Sequence, residues 1–124
     1  MLGIGTDIIE IDRVEAIWHR QGARFARRIL CEQELRACEE KREPWRYLAK
    51  RFAAKEAIAK CLGTGIGVSL SWQDLMISNV ASGAPAVSLN ARAQALAEDL
   101  GGTRVLLSIS DEKHYAVAFA ALVP

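Results

Sequence analysis

A chain of 124 residues, 51% of them hydrophobic, is long enough to bury one core and too short for two, so a single domain over residues 1–124 is expected. The formal net charge is only +1 and points to no partner. The three cysteines, Cys31, Cys38 and Cys61, are odd in number and lack CxxC spacing, which argues against a disulfide framework and a zinc site and fits a reducing cytoplasm.

The opening MLGIGTDIIEIDR meets Asp7, Glu10 and Asp12 at once, unlike a signal peptide, and no later stretch is long enough to span a bilayer. Charge is unevenly spread. Between Arg13 and Lys55 lie 12 of the 16 Lys and Arg residues against six acids. Such a cluster can steer an anionic partner, whether nucleic acid, lipid or an acidic protein.

Leu2 to Ile11 reads as a strand whose glycines permit close backbone approach. Asp12 with Glu15 resembles a capping box, which predicts a helix from Arg13 with a break or kink at Gly22. On helical spacing Arg13, Ile17, Arg20, Arg24 and Arg28 form one stripe, and Val14, Trp18, Phe25 and Ile29 form an apolar stripe beside it. Glu32 to Arg42 reads as a charged, solvated helix. Pro44 suits the first turn of a longer helix, WRYLAKRFAAKEAIAKCL, with Gly63 as its C-terminal stop.

After the GTGIG loop, Leu75 to Ser78 and Ala86 to Leu89 flank a Ser82-Gly83 turn and predict a hairpin. Asn90 can cap a helix ARAQALAEDL closed by Gly101, and TRVLLSIS and YAVAFAALV read as strands joined by DEKH. The class is α+β, and with no repeat or linker the two halves should share a core.

Two carboxylates demand partners. In the long helix Leu48, Phe52, Glu56 and Ala59 share one side, so Glu56 projects from a face that buries Phe52. An unpaired buried charge costs several kcal/mol or more, so a Lys, an Arg or a metal ion should meet it, and a salt bridge to Lys60 one turn on is the simplest choice. Asp7 sits between a glycine-rich entry and an aliphatic run, where a turn or cap role is the ordinary one. A pair of such acids is the kind of donor set that magnesium takes together with waters and phosphates. Gly63 to Gly67 follow a helix carrying Lys55 and Lys60, so a phosphate contact competes there with a plain C-cap, whose dipole disfavours anions.

FAAKEAIAKCLGTGIG and MLGIGTDIIEIDR together resemble the two signature segments of the holo-acyl-carrier-protein synthases, the small bacterial phosphopantetheinyl transferases. The similarity extends through RFARRIL and the closing LSISDEKHYAVA, in the same order. The resemblance implies an antiparallel sheet packed with a long helix and a homotrimer with active sites between subunits. It implies Asp7 and Glu56 as magnesium ligands, Lys60 beside the coenzyme A pyrophosphate, and Gly63, Thr64, Gly65, Ile66 and Gly67 in the coenzyme pocket. By the same resemblance Arg13, Arg20, Arg24 and Arg28 are the face that docks an acyl carrier protein, with Ile17 and Phe25 as apolar contacts. One position departs: many relatives carry a histidine where this chain has Asp111, and His114 follows three residues later, so neither is assigned as the base. His114 and His19 read as solvent-exposed, and Cys61 as packing.

The reaction so implied moves 4'-phosphopantetheine from coenzyme A to a carrier serine and releases adenosine 3',5'-bisphosphate, for fatty acid biosynthesis. Positioning and charge neutralisation by a metal and a lysine suit phosphoryl transfer, and either Glu56 or a metal-bound water activated by it could take the serine proton. A nucleic-acid-binding module would explain the arginine stripe and nothing else, and a transferase serving polyketide or peptide-synthetase carriers would share every motif. No nucleic-acid or membrane partner is expected.

Overall fold

In the computed structural model, which describes residues 2–124, the chain runs β1 (Gly3–Glu10), α1 (Ile11–Gln21), α2 (Ala23–Ile29), α3 (Glu32–Glu39), α4 (Pro44–Cys61), a 3-10 turn (Trp72–Asp74), β2 (Leu75–Asn79), β3 (Pro85–Leu89), α5 (Ala91–Asp99), β4 (Arg104–Asp111) and β5 (Tyr115–Val123). Antiparallel β1, β5 and β4 form a sheet in that order, while β2 and β3 form the separate hairpin expected around Ser82-Gly83. The class is α+β.

Alternation along the sheet strands decides which face meets the long helix. Gly3, Gly5, Asp7 and Ile9 of β1, and Ala116, Ala118, Ala120 and Leu122 of β5, turn toward α4. The helix answers with small residues: Ala53, Ala54 and Ala57 are fully buried on that side, so its backbone can lie close to the sheet. That approach is closest at β1, where a Cβ on Gly5 would stand 2.0 Å from the Ala57 carbonyl oxygen and one on Gly3 2.2 Å from that of Cys61. No side chain larger than hydrogen fits at either position.

α4 keeps its expected ends. Pro44 occupies the first turn, where its missing N–H costs nothing, and Gly63 follows the Leu62 cap with φ 83. Asn90 Oδ1 accepts from the Ala93 N–H at 3.0 Å and starts α5, which Gly101 closes with φ 89. Ile9 packs against both core clusters, so the halves of the chain share one interior.

Three expectations are corrected. Asp12 is no cap: the first helix starts at Ile11 directly from the strand, with the Ile11 N–H donated to the His114 carbonyl at 2.8 Å, so Asp12 lies inside the first turn. The basic stripe is broken, because Gly22 with φ 61 separates α1 from α2 and sets Arg13 and Arg20 on one helix and Arg24 and Arg28 on another. α3 is not wholly solvated: Glu34 is buried, its Oε1 accepting from Lys55 Nζ at 2.7 Å and from the Cys31 N–H at 2.8 Å, and its Oε2 from the Ile77 N–H at 2.9 Å. Lys55, fully buried itself, also donates to the carbonyls of Ile29 and Trp72. A buried ion pair persists only with its remaining polar groups satisfied, and this one is.

Among the described residues no helix is long and apolar enough to cross a membrane. All three cysteines are free, and Cys61 packs beneath β1.

Candidate functional site

Asp7 stands two residues beyond Gly5 on the same face of β1, so the glycine contact that presses β1 onto α4 also brings its carboxylate to the helix. There it meets Lys60, whose Nζ donates to Asp7 Oδ1 at 3.1 Å and to the Thr6 carbonyl at 2.9 Å. The salt bridge expected between Glu56 and Lys60 is therefore replaced: Lys60 turns to Asp7, and Glu56 forms no ion pair among the described residues. Burial, and then the neighbouring negative charge of Asp7, push the Glu56 carboxyl above its ordinary range, with Lys60 only partly opposing them.

Both acids line one cleft of about 450 Å³. Arg13 and Ile17 of α1 and Phe25 of α2 form its opposite wall, and Phe52 closes the floor next to Glu56. The Phe52 ring is held between Phe25, at a centroid distance of 6.4 Å, and Trp72, at 4.9 Å. Acidic oxygens, one guanidinium and an apolar wall thus share a single opening. Arg20, Arg24 and Arg28 are exposed on the same two helices but do not line this cleft.

The acidic pair fits magnesium by the chemistry of its donors. Both are hard carboxylates, and Glu56 is half-buried beside a like charge without a compensating cation of its own. Among the described residues no group of three or more Asp, Glu, His or Cys side chains gathers, so a cation here would have two carboxylates from the chain and would need waters and a substrate phosphate for the rest of its shell, a set that magnesium accepts.

The glycine loop has a narrower role than its composition suggests. Four of the five N–H groups from Gly63 to Gly67 are already donated within the chain: Gly63 to the Lys60 carbonyl, Thr64 and Gly65 to that of Ala59, and Gly67 to that of Leu70. Nothing lies within 4 Å of a Cβ built on Gly63, Gly65 or Gly67. The loop therefore ends α4 and offers a bare backbone surface rather than a nest of amides. None of its residues lines the acidic cleft.

A second cavity, of about 380 Å³, lies at the start of α4 and had no signal in the sequence. Lys41, Arg42, Arg46, Lys50 and Arg51 line it against a single acid, Glu43. Arg51 is only 5% exposed, with its guanidinium 4.6 Å from the Tyr47 ring, its Nη2 donated to Asn79 at 3.0 Å, and its Nε buried without a partner. Only the fold joins residues 41–51 to Asn79, which is why spacing could not reveal it. Asp111 is tied at 3.3 Å to Arg46, which also holds the carbonyls of Glu112 and Lys113. Asp111 lines neither the acidic cleft nor this cavity.

The face of the sheet away from α4 carries exposed apolar side chains, Ile4 and Ile8 of β1, Leu106 of β4, and Tyr115, Val117 and Phe119 of β5, with Ile8 64% exposed, among the polar Thr6, Glu10, Arg104, Ser108 and Ser110.

Residues 3–120 match the family model of the 4'-phosphopantetheinyl transferase superfamily. The chain is 52% identical over 122 residues to a holo-[acyl-carrier-protein] synthase of Shewanella frigidimarina, covering 98% of this chain and 97% of that one. It superposes on the crystal structure of holo-[acyl-carrier-protein] synthase from Neisseria meningitidis with a TM-score of 0.91 at 40% identity, covering 100% of this chain and 99% of the other. The Helicobacter pylori enzyme of the same name, solved in complex with coenzyme A, gives a TM-score of 0.84 at 32% identity, covering 96% and 98%.

Proposed function

The chain belongs to the 4'-phosphopantetheinyl transferase superfamily, and from that premise we infer that it is a holo-[acyl-carrier-protein] synthase dependent on magnesium held by Asp7 and Glu56. It transfers 4'-phosphopantetheine from coenzyme A to a serine of an apo-acyl carrier protein. The observation that carries the site assignment is the convergence of Asp7 from β1 and Glu56 from α4 on one cleft, with Lys60 against Asp7 and Arg13 at the rim.

In the reaction the serine oxygen bonds to the pantetheine-side phosphorus of the coenzyme pyrophosphate. The bridging P–O bond breaks, and adenosine 3',5'-bisphosphate leaves. Glu56, directly or through a water that it activates, accepts the serine proton. Lys60, half-exposed beside the pair, offsets charge on the departing phosphate. Asp111, engaged by Arg46, is not the base in this reading. When bound, magnesium supplies a Lewis acid for the phosphorus under attack.

The rest of the coenzyme is accommodated by two surfaces. Gly63, Thr64, Gly65, Ile66 and Gly67 at the end of α4 allow close approach by the pyrophosphate end, and the basic cavity around Arg42 and Arg51, at the opposite end of this 18-residue helix, suits the ribose phosphate of a coenzyme bound across a subunit boundary of the trimer. Arg13, Arg20, Arg24 and Arg28 form the docking face for an acidic carrier, with Ile17 and Phe25 as its apolar contacts. Ile4, Ile8, Val117 and Phe119 would be covered in a homotrimer, which is how this reading accounts for four large apolar side chains exposed on neighbouring strands. The free thiols fit a cytoplasmic enzyme of fatty acid biosynthesis.

Incubation with coenzyme A, magnesium and apo-carrier should give holo-carrier, seen as a gel-mobility change. Asp7→Ala and Glu56→Ala should each abolish it in a folded protein, and full activity in either would sink the metal assignment. Arg13→Glu or Arg24→Glu should raise KM for the carrier far more than KM for coenzyme A, and equal effects on both would remove the docking face. Turnover compared on fatty-acid, polyketide and peptide-synthetase carriers would set the range of substrates. Light scattering should give the mass of a trimer, and a fully active monomer would refute the assembly.

A further inference from the structure

Lys60 sits one helical turn after Glu56, in the order and spacing that favour a pair between them, yet its ammonium goes to Asp7. A single lysine therefore serves two carboxylates that face the same cleft, leaving Glu56 without a cation of its own. Its grip is divided between Asp7 Oδ1 at 3.1 Å and the Thr6 carbonyl at 2.9 Å. The side chain is 50% exposed, so it can give up one acceptor, keep the backbone carbonyl and turn its remaining N–H groups outward.

We propose that Lys60 is the resident counter-ion of the Asp7–Glu56 pair, and that a divalent cation entering the pair displaces it from Asp7 and frees it toward an incoming phosphate. The proposal rests on the reading of Asp7 and Glu56 as metal ligands and adds a competition that this reading does not require. Two cations cannot share the Asp7 carboxylate without mutual repulsion, so the lysine weakens cation binding for as long as it stays there. A phosphate that draws Lys60 away removes this competition. By reciprocity the bound cation then strengthens the lysine's hold on phosphate. Coenzyme and metal binding are coupled through one side chain, and the pair is kept from loading fully before the pyrophosphate arrives.

The test is Mn²⁺ binding without coenzyme, followed by calorimetry or by the spin-resonance signal of the free ion. The parent is compared with Lys60→Met, Lys60→Gln, Lys60→Arg, Lys113→Met and Asp7→Asn. Lys60→Met and Lys60→Gln should bind Mn²⁺ about 10-fold tighter than the parent, within the usual range of coupling between sites. Lys60→Arg, which keeps the charge, should stay near the parent, and Lys113→Met, an equal loss of charge in the remote exposed turn, should change affinity by less than about twofold. Unchanged or weaker binding in both neutral Lys60 variants overturns the proposal, as does an equal gain in Lys113→Met. Parental binding that survives Asp7→Asn overturns the metal reading itself, and the counter-ion with it. Asp7-dependent binding that ignores Lys60 removes the counter-ion alone.

Discussion

Replacing Gly5 by alanine tests how the site is built. The added Cβ would stand 2.0 Å from the Ala57 carbonyl oxygen and 2.7 Å from the Cys61 nitrogen, where ordinary contact begins at 3.4 Å. Both neighbours are helix backbone, which cannot rotate aside as a side chain could. The strand must therefore move away from α4 by about 1.4 Å, the shortfall against that contact distance. Overpacking of this kind costs about 1–3 kcal/mol, and a rigid obstacle puts Gly5→Ala at the upper end. At about 4 °C per kcal/mol for a domain of this length, the thermal midpoint should fall by about 12 °C. Asp7 travels with the strand, and a displacement near 1 Å costs about 100-fold in turnover where geometry sets the rate. Thermal unfolding and kcat on coenzyme A and carrier read the two effects separately. Gly67→Ala is the control, because nothing lies within 4 Å of its Cβ and its backbone needs no positive φ, so its midpoint should not move. A Gly5→Ala protein that melts within about 2 °C of the parent and turns over normally would refute the claim that this contact positions Asp7.

Two further predictions concern one half-buried charge and one buried ion pair. Glu56 has a raised pKa in the folded protein, so the folded state holds its proton more tightly than the unfolded chain, and stability falls as pH rises from the ordinary glutamate range through the raised value. Glu56→Gln should therefore raise the melting midpoint at pH 7 and do so less at pH 4, while transfer is lost; an equal effect at both pH values would contradict the assigned cause. Lys55→Met leaves the Glu34 carboxylate buried without its cation and should cost about 3–5 kcal/mol by denaturant unfolding. Adding Glu34→Leu should recover part of that loss but not all, because the N–H groups of Cys31 and Ile77 lose their acceptor, and strictly additive costs would show that the two residues are not coupled.

What the sequence disclosed depended on the range of the interaction. Pro44, Gly63, Asn90 and Gly101 set element ends within a few residues of themselves, and all four stand at the expected ends. The sheet strands could be read from alternation for the same local reason. Glu34 escaped because it lies among charged neighbours on α3, and its burial is imposed by Lys55, 21 residues away. Arg51 escaped likewise, since Asn79 comes 28 residues later. Asp12 misled because Asp12 and Glu15 look the same whether a loop precedes the helix or, as here, the strand runs straight into it.

The acidic pair lies between these cases. Spacing gave each carboxylate a need for a partner but no means of choosing one, and the nearest choice for Glu56, Lys60, went to Asp7. The missing information was in the glycines. Gly3 and Gly5 let β1 reach α4 where Ala57 and Cys61 face it, and that depth fixes which helical residues Asp7 can meet: Glu56 and Lys60, each one position before a contact residue. A longer side chain at Gly5 would leave both acids in the sequence and separate them in space. The function of the glycine segment is therefore to bring the pair together, which is why it stands immediately before Asp7 rather than in a turn.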